Sequence, residues 1–176
     1  VQCLQEGTQM GVNSRKFESK IAQLFDKKEC LYVNSGSSAL YIGIESFDFP
    51  EGGEVITPAL TFGTTLGCII KNNLVPVFVD VEALTYCIDV SQIEEMITDK
   101  TVAILAPDLL GGICDWPHIR DIADRHGLQV IQDSADTLGA TINGVSTGTY
   151  SDMSITSFYG SHIINCAGNG GALCLN

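Results

Sequence analysis

Short apolar runs alternate along this chain with segments in which apolar residues recur every three or four positions. The runs are typical of buried strands and lie at 30–34, 54–60, 75–81, 101–107, 128–134, 152–159 and 170–176. The helical spacing is found at 14–26, 35–47, 61–73, 89–98 and 115–127. Strands that alternate with helices in units of about 30 residues predict an α/β fold, with a mostly parallel sheet and helices on both faces.

Residues that cap helices or form turns mark several of these boundaries. Ser14 is predicted to cap the helix over 14–26. Pro58 is predicted to stop the strand in the run 54–60. Pro117 stands in the first turn of the helix over 115–127, and Gly127 stands at its end. The Asn143-Gly144 dipeptide predicts a tight hairpin within 140–147.

The overall composition is that of a globular domain. Of 176 residues, 45% are hydrophobic and 17% are charged, which is enough apolar material for one core. The net charge of -12 disfavours nucleic acid as a partner, because phosphate backbones need clustered Lys and Arg. No apolar run reaches the roughly 18 residues of a membrane helix, so no span is predicted. The chain starts without Met and stops after an apolar run, and we expect a fragment: 1–176 as an incomplete large domain.

The seven cysteines do not predict a metal site or a disulfide framework. Their number is odd, and no CxxC pair occurs. Most of them lie in apolar runs such as "LGCII" and "ALCLN". We therefore expect buried, reduced thiols in a cytoplasmic protein.

The segment "VNSGSSAL" (33–40) is a strand end, a turn of small residues and a helix start. The exposed amides and the positive end of such a helix start can hold a phosphate, and two serines add hydroxyl donors. A serine-glycine turn that only caps the helix is the equally common alternative. Ligands of parallel sheets bind at the carboxyl ends of the strands, which is where this turn lies.

Two further side chains follow strand ends. Asp133 ends the apolar strand in "VIQDSADTLGA", where a carboxylate can hold a cationic ring nitrogen; a helix or loop cap is the commoner use of Asp. Phe62 follows the strand in "TPALTFGTT", where its ring can stack on a ligand or pack in the core.

In this order the motifs resemble the DegT/DnrJ/EryC1/StrS family of fold type I pyridoxal-phosphate enzymes, which act on nucleotide sugars. The matching segments are "NSGSSAL", "EVITPALTF", "PVFVDVEALTYCID", "HGLQVIQDSADTLGA", "GTYSDMSITSFY" and "GNGGAL". They cover nearly the whole chain from about residue 15.

The resemblance implies a pyridoxal or pyridoxamine 5'-phosphate site. Ser37, Ser38 and Ser157 would hold the phosphate. Phe62 would stack on the pyridine ring, and Asp133 would pair with the protonated ring nitrogen. The cofactor-binding set is therefore Gly36, Ser37, Ser38, Phe62, Asp133, Asp136 and Ser157. In this family a Gln near the phenolic oxygen of the ring often occupies the position of Asp136, so a second acid here is a departure.

The larger departure is His162. Aminotransferases of the family carry their Schiff-base lysine five residues after the serine that matches Ser157, and this sequence has no lysine after Lys100. The string "SFYGSHIINCAGNGG" resembles instead the nucleotide-sugar 3-dehydratases, in which histidine replaces that lysine. There the histidine is the base that takes a proton from the non-covalently held pyridoxamine phosphate while the hydroxyl on sugar carbon three departs. Imidazole suits that step, because it titrates near neutrality.

The leading hypothesis is therefore a 3-dehydratase of an NDP-4-keto-6-deoxyhexose in deoxysugar biosynthesis. The family implies a homodimer, and glutamate as the amino donor. A branch that adds an iron–sulfur cluster and a reductase stays open, and none of the seven cysteines matches that cluster motif.

Three alternatives compete with this hypothesis. The chain can be an inactive homologue that binds cofactor or sugar nucleotide only, or an aminotransferase with an unusual loop. A nicotinamide-binding domain is disfavoured, because no GxGxxG follows the first strand.

Overall fold

Seven of the strands pair into one sheet in this computed structural model, which describes residue 5 and residues 9–176. The strands are β1 (Glu29–Val33), β2 (Glu54–Pro58), β3 (Val75–Val79), β4 (Thr101–Pro107), β5 (Gln129–Asp133), β8 (Met153–Ser157) and β9 (Gly171–Leu175). Their order across the sheet is β1-β9-β8-β5-β4-β2-β3. Strand β9 runs antiparallel to both of its neighbours, β1 and β8, and the other adjacent pairs are parallel. The predicted mostly parallel sheet is confirmed.

Helices cover both faces of this sheet. They are α1 (Val12–Leu24), α2 (Gly36–Ser46), α3 (Gly63–Lys71) and α4 (Trp116–His126). Alternate side chains of a strand point to opposite faces, so Ile56 of β2 packs in one cluster with Trp116 of α4. Its neighbour Val55 packs in another cluster with Leu40 of α2 and Ile69 of α3. The two fully buried layers confirm the predicted arrangement of helices around the sheet.

Several predicted boundaries are confirmed in detail. The side chain of Asp115 accepts the His118 N–H at the start of α4, and Gly127 ends the helix in the left-handed conformation at φ 67°. The hairpin consists of β6 (Thr141–Ile142) and β7 (Val145–Ser146), joined by Asn143 and Gly144 with positive φ.

Two predictions on local structure are wrong. Helix α1 begins at Val12, before Ser14, and the Ser14 hydroxyl accepts the Gly11 N–H at 3.5 Å. The segment 89–98 forms two short 3₁₀ turns, Val90–Gln92 and Glu94–Met96. The Asp89 carboxylate accepts bonds from Ser91 and Gln92 there, and such local bonds compete with regular helix formation.

The cysteines of the described residues are unpaired. Five of them are buried, as predicted, and Cys166 is half-buried. Cys3 lies outside the described residues. In the described part of the chain, no helix combines the length and apolar character that crossing a bilayer requires.

Candidate active site

The start of α2 presents free backbone amides at the carboxyl edge of the sheet. Ser35 caps the helix, because its Oγ accepts the Ser38 N–H at 3.1 Å. The amides of Gly36 and Ser37 lie in the first turn, where an α-helix offers no internal acceptor. Together with the positive end of the helix dipole, these N–H groups suit an anion such as a phosphate. The donor set therefore fits the expected cofactor phosphate.

Two glycines let the backbones of three segments meet at this point. A Cβ on Gly36 would stand 2.7 Å from the Cβ of Ser157, at the end of β8. A Cβ on Gly171 would stand 2.3 Å from the carbonyl of Ser35. The register explains the meeting, because Gly171 is paired with both Val33 and Ser157. The structure thus brings Gly36, Ser37, Ser38 and Ser157 together.

Replacing Gly36 with alanine should damage this contact. We expect the free energy of unfolding to fall by about 1–3 kcal/mol, because the new methyl group overpacks the contact with Ser157. Gly67 is the matched control: it also lies in a helix, but a Cβ there would meet no atom within 4 Å. Gly67→Ala should stabilise by up to about 1 kcal/mol. Denaturant unfolding measures both, and equal stabilities of the two variants would contradict the close contact.

Asp133 lies at the end of β5, half-buried among other acids. Its Oδ1 accepts the Ala135 N–H at 3.1 Å, and within the described residues Oδ2 accepts no hydrogen bond. Burial is the main cause that raises the pKa of Asp133 to about 6; the nearby Asp108 and Asp136 act in the same direction, and the Ala135 N–H and His162 act against it. A cationic N–H group at Oδ2 would relieve this destabilised charge. The carboxylate therefore fits a protonated ring nitrogen.

Phe62 stands immediately before α3, at the same edge of the sheet. Its side chain is 70% exposed, so the structure argues against the alternative that the ring packs in the core. An exposed ring face beside the strand ends is available to a planar ligand. Stacking on a cofactor stays a prediction.

His162 is held by Asp136, the other residue that departs from the family pattern. The imidazole Nδ1 lies 3.0 Å from Asp136 Oδ1, and the Leu110 N–H donates to Oδ2 at 3.0 Å. The His162 amide also donates to the Tyr159 carbonyl at 3.0 Å. Both side chains are mostly buried: 21% of His162 and 32% of Asp136 are exposed.

This contact decides what the imidazole can do. An ionised carboxylate only accepts hydrogen bonds, so in the neutral ring the proton lies on Nδ1. The second nitrogen, Nε2, then keeps its lone pair and can act as a base. The same logic orients the histidine of a Ser-His-Asp triad. The contact thus orients the ring so that Nε2 can exchange a proton, at the position where a lysine is expected in aminotransferases of the family.

Sequence reasoning did not predict the contact between Asp136 and His162. Both residues were identified separately as departures from one family pattern, and two coincident departures would have been the signal that they touch. The expected place of Asp136 near the phenolic oxygen stays a prediction. The sequence could not indicate that the Leu110 N–H bonds to Asp136, because every residue type except proline carries a backbone N–H.

Comparison with known proteins identifies the relatives of this chain. The model of the DegT/DnrJ/EryC1/StrS aminotransferase family matches residues 1–176. The chain is 39% identical to a dTDP-4-dehydro-2,6-dideoxy-D-glucose 3-dehydratase of Saccharopolyspora spinosa, over 93% of this chain and 37% of that protein. It is 36% identical to a UDP-N-acetyl-3-dehydro-alpha-D-glucosamine 3-aminotransferase of Acidithiobacillus ferrooxidans, over 92% and 44%.

A solved structure is similar over almost the whole chain. The GDP-4-keto-6-deoxy-D-mannose-3-dehydratase of Escherichia coli, with bound hydrated pyridoxal phosphate, superposes with a TM-score of 0.91 at 30% identity. The match covers 99% of this chain and 46% of that one. The chain thus spans less than half the length of the proteins it matches. The α/β fold and the expected pyridoxal or pyridoxamine phosphate cofactor are confirmed at the level of the family. Because the family model matches residues 1–176 of this sequence, the chain belongs to the DegT/DnrJ/EryC1/StrS aminotransferase family.

Proposed function

We propose that this chain is the cofactor-binding large domain of a 3-dehydratase that acts on an NDP-4-keto-6-deoxyhexose. The carrying observation is the 3.0 Å contact between His162 Nδ1 and Asp136 at the position of the family's lysine. Because the sequence contains no lysine after Lys100, no amine from this segment can hold the cofactor covalently. Histidine supplies a base there without competing for the cofactor's carbonyl.

The residues at the edge of the sheet would hold the cofactor in the following way. Gly36, Ser37 and Ser38 would bind the phosphate at the start of α2, with Ser157 beside them. Phe62 would cover one face of the pyridine ring, and Asp133 would bind its protonated nitrogen. When bound, pyridoxamine phosphate supplies an amine for the sugar's keto group and an electron sink for the reaction.

The acid–base work would fall to His162. Its Nε2 would take a proton at the reacting carbon, while Asp136 stabilises the imidazolium that forms through Nδ1–H. The Leu110 N–H keeps Asp136 from rotating away. Since the ring is mostly buried yet 21% exposed, it can reach a ligand without being free to reorient.

Relatives support this proposal without deciding between the two reactions. Two are 3-dehydratases of keto sugars attached to a nucleotide, and another is a 3-aminotransferase. The aminotransferase reaction of the family needs the lysine that His162 replaces. For this reason we place the chain with the dehydratases. A cofactor-binding protein without turnover is the rival that the experiment below must exclude.

The expected homodimer, the glutamate donor and the cytoplasmic location remain predictions. One observation supports the dimer: several large apolar side chains are exposed near the site. They are Leu60, Phe62, Leu110, Tyr159 and Ile163. Exposed apolar groups in this number favour coverage by another subunit.

The test is to incubate the full-length protein with pyridoxal phosphate and glutamate, and then to add the NDP-4-keto-6-deoxyhexose. We expect a pyridoxamine spectrum, no lysine adduct after borohydride reduction, and loss of the hydroxyl from carbon three of the sugar. A spectrum without sugar conversion would identify a binder. A reduced covalent lysine adduct would identify an aminotransferase.

A further inference from the structure

A buried carboxylate that the proposed reaction does not use lies next to the site. Asp108 follows Pro107 at the end of β4 and is only 1% exposed. Burial raises the pKa of Asp108, and the hydrogen bonds that it accepts oppose this shift. Burying a charged carboxylate costs free energy unless hydrogen-bond donors satisfy its oxygens. The donors to Asp108 therefore show which segments of the chain it links.

The donors to Asp108 come from two different segments. Oδ1 accepts the Cys114 N–H and the Trp116 Nε1–H, both at 2.9 Å. Oδ2 accepts Gln132 Nε2 at 2.9 Å and the Thr137 hydroxyl at 3.0 Å. One oxygen therefore holds the loop 109–115 through Cys114 and the adjoining start of α4 through Trp116, and the other holds the segment that carries Asp133 and Asp136.

The loop delivers the donor that fixes Asp136. Leu110 lies in this loop, with φ 55° and a side chain that is 77% exposed. A left-handed conformation costs a leucine about 1–2 kcal/mol and persists only where the surroundings impose it. In this conformation its N–H reaches Asp136 Oδ2 at 3.0 Å. The strained residue is thus held in place by the loop's attachment at Cys114 and Trp116.

We propose that Asp108 is a positioning residue for His162: its carboxylate holds the loop 109–115 so that the Leu110 N–H fixes Asp136 against the imidazole. The connection runs through Asp108, the loop, Asp136 and His162, and Asp108 touches none of the reacting atoms. This inference rests on the proposed role of His162 as the base. Its first test needs neither substrate nor cofactor.

That test reads the ring nitrogens of His162 by ¹⁵N NMR in the full-length protein, at alkaline pH and without cofactor. The His162 signal is assigned by its loss in His162→Asn. In the wild type we expect the proton on Nδ1 and an unprotonated Nε2. The leucine in Asp108→Leu has a similar shape to aspartate but accepts no hydrogen bond. In this variant the two ¹⁵N signals of the His162 ring should shift toward the average of both tautomers. Asp108→Asn keeps an oxygen for Cys114 and Trp116 and should retain the wild-type signals.

The control for lost stability is Ile44→Ala. Ile44 is a buried side chain of α2 that packs with Leu40 in the apolar cluster separate from that of Trp116. This variant should lose stability and keep the His162 signals. If Asp108→Leu fails to fold, Trp116→Phe removes one of the two loop donors and should give a smaller shift in the same direction. Wild-type signals in folded Asp108→Leu, or in Trp116→Phe where that variant replaces it, would overturn the inference.

Activity then separates this inference from the proposed function. In Asp108→Leu, or in Trp116→Phe to a smaller degree, we expect kcat to fall by roughly tenfold while KM changes little, since orientation of the base affects turnover more than binding. Shifted His162 signals with unchanged dehydration would leave the positioning role intact and remove His162 as the base. Unshifted signals with slower dehydration would overturn the positioning role alone.

Discussion

Replacing His162 with asparagine should lower the rate of sugar dehydration by a factor of about 10² to 10⁴, the usual contribution of a positioned general base. The asparagine amide can still donate to Asp136, so the loop should keep its conformation. What disappears is the ring nitrogen Nε2, which accepts the proton in the proposed reaction. The measurement is the single-turnover rate of the full-length protein, loaded with pyridoxamine phosphate, on an NDP-4-keto-6-deoxyhexose.

His126→Asn is the matched control for this experiment. His126 also contacts a carboxylate, with Nε2 at 2.9 Å from Glu94 Oε1, but it lies at the end of α4. Its replacement should leave the rate unchanged. A His162→Asn rate within threefold of the wild type would show that another group removes the proton.

Asp133→Asn should weaken the binding of pyridoxamine phosphate by roughly 10- to 100-fold. The carboxamide cannot neutralise a protonated ring nitrogen, and a hydrogen bond to a charged partner is worth about 1.5–3 kcal/mol. Equilibrium titration of the cofactor-free protein measures the change. The control is Asp152→Asn, a half-buried carboxylate that accepts the Arg120 guanidinium and lies outside the site. Equal affinities of Asp133→Asn and the wild type would contradict the pairing with the ring nitrogen.

Asp133→Asn weakens cofactor binding, but without cofactor the same substitution should stabilise the protein at neutral pH. Burial raises the native pKa of Asp133 to about 6, above the value of roughly 3.9 in an unfolded chain. The native state therefore holds this proton more tightly, and stability is lost as the pH rises from about 4 through about 6. Asparagine does not ionise. Relative to the wild type, Asp133→Asn should gain about 2 kcal/mol between pH 4 and pH 8, as measured by denaturant unfolding.

Local signals predicted the regular elements well. In α4, Pro117 and Gly127 act through neighbours along the chain, so the pattern alone is sufficient to place the helix. The segment 89–98 has an equally helical spacing, yet hydrogen bonds to the Asp89 carboxylate stabilise a 3₁₀ turn there. Ile93, between the two turns, is fully buried in the core, and this tertiary contact is not visible in the local pattern.

The candidate site likewise has a part that the sequence predicts and a part that it does not. Asp133 could be predicted because it ends a strand and the carboxyl ends of parallel strands meet at one edge of the sheet, whereas Ser157 followed only from the family resemblance. The contact between Asp136 and His162 joins two loops that are 26 residues apart. It also depends on a left-handed leucine that no side-chain pattern indicates. Loop conformation is decided by tertiary contacts, and for this reason the pair became visible only in the folded chain.

The antiparallel strand β9 has a consequence for the order of assembly. Strand β1 pairs with no strand except β9 among the described residues, and residues 29 and 175 are direct partners. A ribosome must therefore synthesise the chain as far as residue 175 before β1 can enter the sheet. Until then, the turn at Ser35 has no Gly171 to rest against. Long-range pairing of this kind slows folding, so the turn at Ser35 is expected to reach its final conformation late in the folding of the domain.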